Sequence, residues 1–149
     1  HPRVRRQRQM CIRDRITGVS SMKGNLDIVV ENCTFVAMKA GMTFFDLNAK
    51  NITDGSVTIK NNLFSGEVDA DNGTWFSLHK NITTRTFENN YITNGFALKN
   101  WGVEEDEKPV ETALPMNELF EDVSNRNFTI KDKSSEVYIQ GIGDPYWRK

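Results

Sequence analysis

The sequence predicts an all-β solenoid of short parallel strands stacked turn upon turn, and two observations predict it. An alternating apolar run broken by Asn-Cys or Asn-Asn recurs as Ile28–Phe35 (IVVENCTF), Val57–Phe64 (VTIKNNLF) and Arg85–Ile92 (RTFENNYI). Aligning Val30, Ile59 and Phe87 gives spacings of 29 and 28 residues. Self-similarity at such a period marks an architecture in which each repeat is one turn of a stack. Each run is also followed by a second short alternating segment closed by asparagine: FDLNAKN, FSLHKN and FALKN. Strands this short cannot bury both faces alone. They become stable by pairing with the equivalent strand one turn away, about 4.8 Å distant.

The opening residues stand apart. Arg5–Asp14 (RRQRQMCIRD) resembles an in-frame translation of a transposase-type sequencing adapter, ten residues in succession. Residues 1–15 are therefore expected to be non-biological and disordered, with the natural chain running from near Ile16 and its true beginning missing. A basic nucleic-acid arm is the rival reading of six arginines in fifteen residues. A secretion signal is excluded because no apolar segment follows the charged one.

Ile16–Asn25 is rich in Ser and Gly and reads as a loop. The first coil is Leu26–Ile52, in which Phe45 and Leu47 alternate along the second strand. The next spans about Asp54 to Thr83, with Phe76 and Leu78 in the same roles. The third begins at Arg85 and reaches Phe96 and Leu98 sooner. All these strands run the same way, so the sheets are parallel and alternate side chains enter a shared core. Asparagine suits the corners because it tolerates the left-handed backbone conformation. An inward Asn at equivalent positions can also bond to its neighbour above, so Asn62 and Asn90 are expected to form a ladder from which Cys33 departs.

From Trp101 the register breaks. Coils are assigned to residues 16–103, and residues 104–149 to an acidic excursion, an irregular last coil and a C-terminal cap. VEEDEKPVE reads as an exposed excursion, Leu114–Val123 as holding a short helical turn, and NFTIK and EVYIQ as strands. A solenoid end needs covering because its last turn otherwise presents open edges.

Composition sets further bounds. The leader carries six Arg and one Asp, so residues 16–149 hold 13 basic and 19 acidic side chains, net −6. That argues against nucleic acid as a partner. No apolar run is long enough to span a membrane. With Cys11 set aside, Cys33 has no partner for a disulfide and reads as a packed core thiol.

Three constellations are candidates for chemistry. Asn48, His79 and Lys99 follow the inward Leu47, Leu78 and Leu98. In register they would form an outward polar column flanked by Trp75 and Trp101, suited to a sugar chain that stacks on indole and presents hydroxyls at its edge. His79 with Lys99 could abstract a proton beside a uronate carboxylate. The alternative is a set of solvated turn residues with edge aromatics covering the core. Asp69, Asp71 and Asn72 are spaced as in a calcium loop but lack its bidentate Glu, so a surface turn is preferred. N-x-T triplets begin at Asn32, Asn51, Asn72, Asn81 and Asn127. They are discounted as glycosylation sites, since Asn and Thr are independently favoured at such corners and strands.

The repeated VxIxNNxF coils, followed by the LF…NFTIK…GIGDPYW ending, resemble secreted bacterial right-handed parallel β-helices of the pectate-lyase-like superfamily. The likeness covers about Leu26–Trp147 and is greatest to domains found beside surface glycan-uptake systems. It implies a secreted or surface-anchored protein that holds or acts on a polysaccharide, acidic glycans included. Lyases of that superfamily use a Lys or Arg base, often with calcium held by acidic residues. No motif here matches such a site, so no catalytic residue is carried over. The expectation is a non-catalytic C-terminal part of a polysaccharide-associated β-helix, with no cofactor in this fragment and calcium an option only in a longer protein. The alternatives are a fragment of a lyase whose catalytic coils lie upstream, and a structural stalk. Open strand edges above Leu26–Phe35 would also favour self-association.

Overall fold

The computed structural model describes residues 11–12, 16–17, 23–38, 43–48, 50–66, 74–96 and 101–149. They are mainly β. The strands are β1 (Cys11–Ile12), β2 (Ile16–Thr17), β3 (Lys23–Glu31), β4 (Thr34–Met38), β5 (Thr43–Leu47), β6 (Asn51–Lys60), β7 (Leu63–Gly66), β8 (Thr74–Leu78), β9 (Ile82–Glu88), β10 (Tyr91–Ile92) and β11 (Val110–Glu111). They form three parallel sheets, ordered β1-β4-β7-β10-β11, β2-β5-β8 and β3-β6-β9. From β3 to β9, successive strands pass to the three sheets in rotation. Each strand from β3 to β7 therefore pairs with the strand three places on in sequence.

The pairing register follows the repeats. Val30, Ile59 and Phe87 are partners across β3, β6 and β9, and Phe45 pairs with Phe76 across β5 and β8. Identical side chains consequently stack. Phe35 lies on Phe64 with centroids 4.8 Å apart, and Phe45 on Phe76 at 4.2 Å, the rings of each pair nearly parallel. Phe45 also meets Phe35 and Phe64 edge-on at 6.0 Å. Offset stacks and edge contacts each add about 0.5–1.5 kcal/mol beyond the area buried. Gly55 completes this packing, because a Cβ there would stand 2.6 Å from the Leu26 carbonyl oxygen one strand away.

The corners between sheets use asparagine in two ways. Asn32, Asn61 and Asn89 take positive φ of 54°, 53° and 50°. The next residue, Cys33, Asn62 or Asn90, then points inward. Asn62 Nδ2 donates to Asn90 Oδ1 at 3.0 Å and to the Val30 carbonyl at 2.9 Å. Its Oδ1 accepts from the Cys33 N–H at 3.0 Å. Asn90 Nδ2 donates to the Ile59 carbonyl at 2.7 Å. Both amides are buried, and their polar atoms are matched by backbone or by each other, as burial demands.

The structure refines or corrects several expectations. Of the stretch expected to be disordered, Cys11–Ile12 pair with Phe35–Val36 of β4, while residues 1–10 and 13–15 lie outside the described residues. An open strand edge binds an extended segment through its backbone, whatever the side chains. The acidic stretch after Trp101 is largely exposed, as expected, but it is tied to the sheets. Val103 packs on the core, Glu105–Glu107 form a 3-10 turn, and Val110–Glu111 add β11 to the sheet. The cause is Arg85, which occupies the register position of the inward Ile28 and Val57 and is met there by Glu107, Nε to Oε2 at 2.9 Å. The third repeat is short, as its early arrival at Phe96 suggests. Val110 follows its partner Tyr91 by only 19 residues. Trp101 reaches Phe76, whose N–H donates to the Trp101 carbonyl at 3.1 Å.

Residues 114–147 do not simply cover an end. They comprise α1 (Met116–Leu119), an antiparallel hairpin of β12 (Phe120–Asp122) and β13 (Asn127–Ile130), α2 (Glu136–Ile139) and a 3-10 turn at Pro145–Trp147. Their apolar side chains form a second core with Val36, Leu63 and Tyr91, the outward residues of β4, β7 and β10. The segment thus buttresses the side of the five-stranded sheet and leaves β7 buried on both faces. EVYIQ, expected as a strand, is mostly α2. A strand there would bury Val137 and Ile139 together, but Val137 is fully buried while Ile139 is 70% exposed.

Candidate functional site

The sequence-predicted column is brought together only in part. Leu47 and Leu78 are partners, so Asn48 and His79 follow as neighbours at the corner leaving the β5/β8 sheet, and the His79 N–H donates to the Leu47 carbonyl at 3.2 Å. His79 is engaged locally. Its Nδ1 accepts from the Asn81 N–H at 3.2 Å, its carbonyl accepts from Ile82 at 2.9 Å, and Asn81 Nδ2 reaches the Ile52 carbonyl at 2.7 Å. The imidazole thereby braces a turn. Trp101 is half-buried against the core, and the Lys108 ammonium lies 5.6 Å from its ring centroid. Lys99, the Trp75 side chain, Asp69, Asp71 and Asn72 lie outside the described residues. Among the described residues no three His, Cys, Asp or Glu side chains gather as metal ligands would.

Cys33 is half-buried, and its Sγ lies 3.4 Å from the Glu31 carbonyl, to which the thiol donates. Burial pushes the thiol above its ordinary pKa, and the Asp144 carboxylate adds to the rise. It is a packed thiol, not an activated nucleophile.

A second surface escapes the reading of the sequence alone. On the outer side of β3, β6 and β9, alternate residues align into a three-by-three array. Asp27, Ser56 and Thr84 form one column, Val29, Thr58 and Thr86 the middle one, and Glu31, Lys60 and Glu88 the third. Ser56 Oγ donates to Asp27 Oδ1 at 2.7 Å, and Lys60 Nζ lies 3.0 Å from Glu88 Oε2. Val29, at the head of the middle column, is 65% exposed. The signal is present in the sequence: DIVVE, SVTIK and TRTFE carry these residues between the inward ones that define the repeat. A shallow concavity of about 510 Å³ beside the array is lined by Arg85, Glu88, Glu104, Asp106 and Glu107 among others.

The sequence model of the DUF5123 family, described as a domain of unknown function, matches residues 28–147. The chain belongs to this family. No curated protein and no solved structure matches it. The DUF5123 match runs from within β3 to the Pro145–Trp147 turn, so it takes in most of the three sheets and of the outer array, and the buttress.

Proposed function

We propose that this DUF5123 chain is part of a right-handed parallel β-helix of the pectate-lyase-like kind, secreted or held at a cell surface. In this reading it associates with polysaccharide and performs no catalysis itself. Support for the architecture comes from the passage of successive strands to three parallel sheets in rotation, at repeats of 29 and 28 residues from Val30 to Phe87. The observation that carries the function is the uncovered outer face of β3, β6 and β9. The inner face of that sheet is core, and the outer face of the five-stranded sheet is taken by the buttress, whereas the side chains of this array are all half-buried or exposed. A repeating polymer meets equivalent groups at each step along it, with apolar methyls in the middle column and hydrogen-bonding groups on either side. The corner carrying Asn48 and His79 would extend the same surface.

Affinity electrophoresis through gels containing a panel of plant-type polysaccharides tests this. At least one glycan should retard the protein, and the double variant Thr58→Ala/Thr86→Ala should migrate freely while keeping its far-UV circular dichroism. Trp75→Ala examines the corner in the same assay. Free migration in every glycan would overturn the binding reading. It would favour a structural stalk, for which the satisfied Asn62–Asn90 ladder and the stacked phenyl columns are the supporting features.

A further inference from the structure

We infer that the outer array takes neutral polysaccharide and rejects uronate-bearing chains; this rests on the polysaccharide reading and narrows it. The array presents three carboxylates, Asp27, Glu31 and Glu88, and one cation, Lys60, which is already paired with Glu88 at 3.0 Å. Recognition of a carboxylate favours a planar guanidinium fork. The neighbouring guanidinium, Arg85, sits at an inward register position and is held by Glu107 through two of its nitrogens. The adjoining concavity adds Glu104, Asp106 and Glu107. A polyanion approaching along the strands therefore meets like charge at both margins of the face.

Neutral sugars meet the opposite situation. Their ring hydroxyls are donors, and Asp27 and Glu31 offer carboxyl oxygens that accept them. Ser56 and Thr84 provide hydroxyls that give or accept as needed. Between these columns, Val29 and the methyls of Thr58 and Thr86 form an apolar stripe on which the C–H faces of sugar rings can rest. The stripe is one side chain wide and runs across all three strands.

The experiment sets the full chain against two neutral polysaccharides, xyloglucan and galactomannan, and two acidic ones, polygalacturonate and alginate. Each is run with calcium and with a chelator, at low and at physiological salt. At least one neutral glycan should bind roughly tenfold or more tightly than either acidic one, with little dependence on salt or calcium. The double variant Glu31→Lys/Glu88→Lys should gain salt-sensitive retardation by polygalacturonate. Equal or tighter binding of polygalacturonate or alginate by the unmodified chain, calcium-bridged or not, would overturn the neutral assignment and leave the polysaccharide reading standing. Binding of none of the four polysaccharides would overturn both. Light scattering on the same samples covers self-association: a dimer abolished by Thr58→Arg would mean that a second copy occupies the face, and would also overturn the proposal.

Discussion

At the scale of single residues, Asn62 holds three strands in register with one side chain. It donates to the Val30 carbonyl and to Asn90, and accepts from the Cys33 N–H. Asn62→Ala leaves these partners buried and unpaired, and each orphan costs about 1–3 kcal/mol. The expected loss is about 3 kcal/mol or more, read from urea unfolding at constant slope. Asn62→Asp should fare no better, because it sets a carboxylate oxygen against a carbonyl and an amide oxygen. A loss under about 1 kcal/mol in both variants would show that the ladder is incidental. Asp122 supplies a pH prediction at the same scale. Its carboxylate accepts from Ser124 Oγ, Asn125 N and Asn125 Nδ2, and these bonds hold its pKa down at about 2. The folded value lies below the ordinary one, so the stabilisation is complete above the ordinary carboxylate range and is lost as pH falls through about 2. Carboxyl NMR should find Asp122 still ionised at a pH where ordinary aspartates are largely protonated. Titration at the ordinary position would mean the turn bonds do not form in solution.

At the scale of elements, the strands are legible wherever one side chain in two is buried. Val57 and Ile59 define β6, and its register to β3 and β9, because a slip of one residue would turn the apolar set outward. The left-handed corners are legible too, since few residues besides Asn and Gly accept that backbone conformation. The third repeat is legible only in its start and its shortness. Its outcome depends on Arg85, a charged residue at an inward register position that no periodicity marks, and on Glu107 reaching back 22 residues to pair with it. The outer array is hidden for a different reason: solvent-facing residues in a strand carry no apolar pattern, and only the register gives them meaning. Gly102 tests the revised third turn. It has φ of 63°, and a Cβ there would collide with the Phe76 carbonyl oxygen. Gly102→Ala combines overpacking with a strained φ and should cost about 2–4 kcal/mol. An alanine tolerated there would mean that Trp101 does not lie beside Phe76.

At the scale of the whole molecule, the segment expected to close an end instead ties the far C-terminal residues to early strands. The Gly143 N–H donates to the Asn61 carbonyl at 2.8 Å, and the Asp144 N–H donates to Thr34 Oγ1 at 2.9 Å, across 110 residues of sequence. Tyr91 adds its hydroxyl, 3.1 Å from Gln140 Oε1. The apolar residues of this segment can be picked out by pattern but their destination cannot, since a buttress and an end cap require the same composition. The attachment turns on Gly143. Its φ of 80° disfavours any side chain, and a Cβ would stand 2.5 Å from Thr34 Oγ1 and 3.2 Å from the Leu63 Cβ. Gly143→Ala should therefore loosen the buttress before it melts the inner core, because Phe35, Phe45, Phe64 and Phe76 belong to a separate cluster. Limited proteolysis should then cut between residues 131 and 136, where the chain is exposed, while hydrogen exchange at β6 stays slow. If β6 loses protection together with the C-terminal segment, the two cores fold as one cooperative unit. The buttress would then be part of the fold's minimum and not an attachment to it.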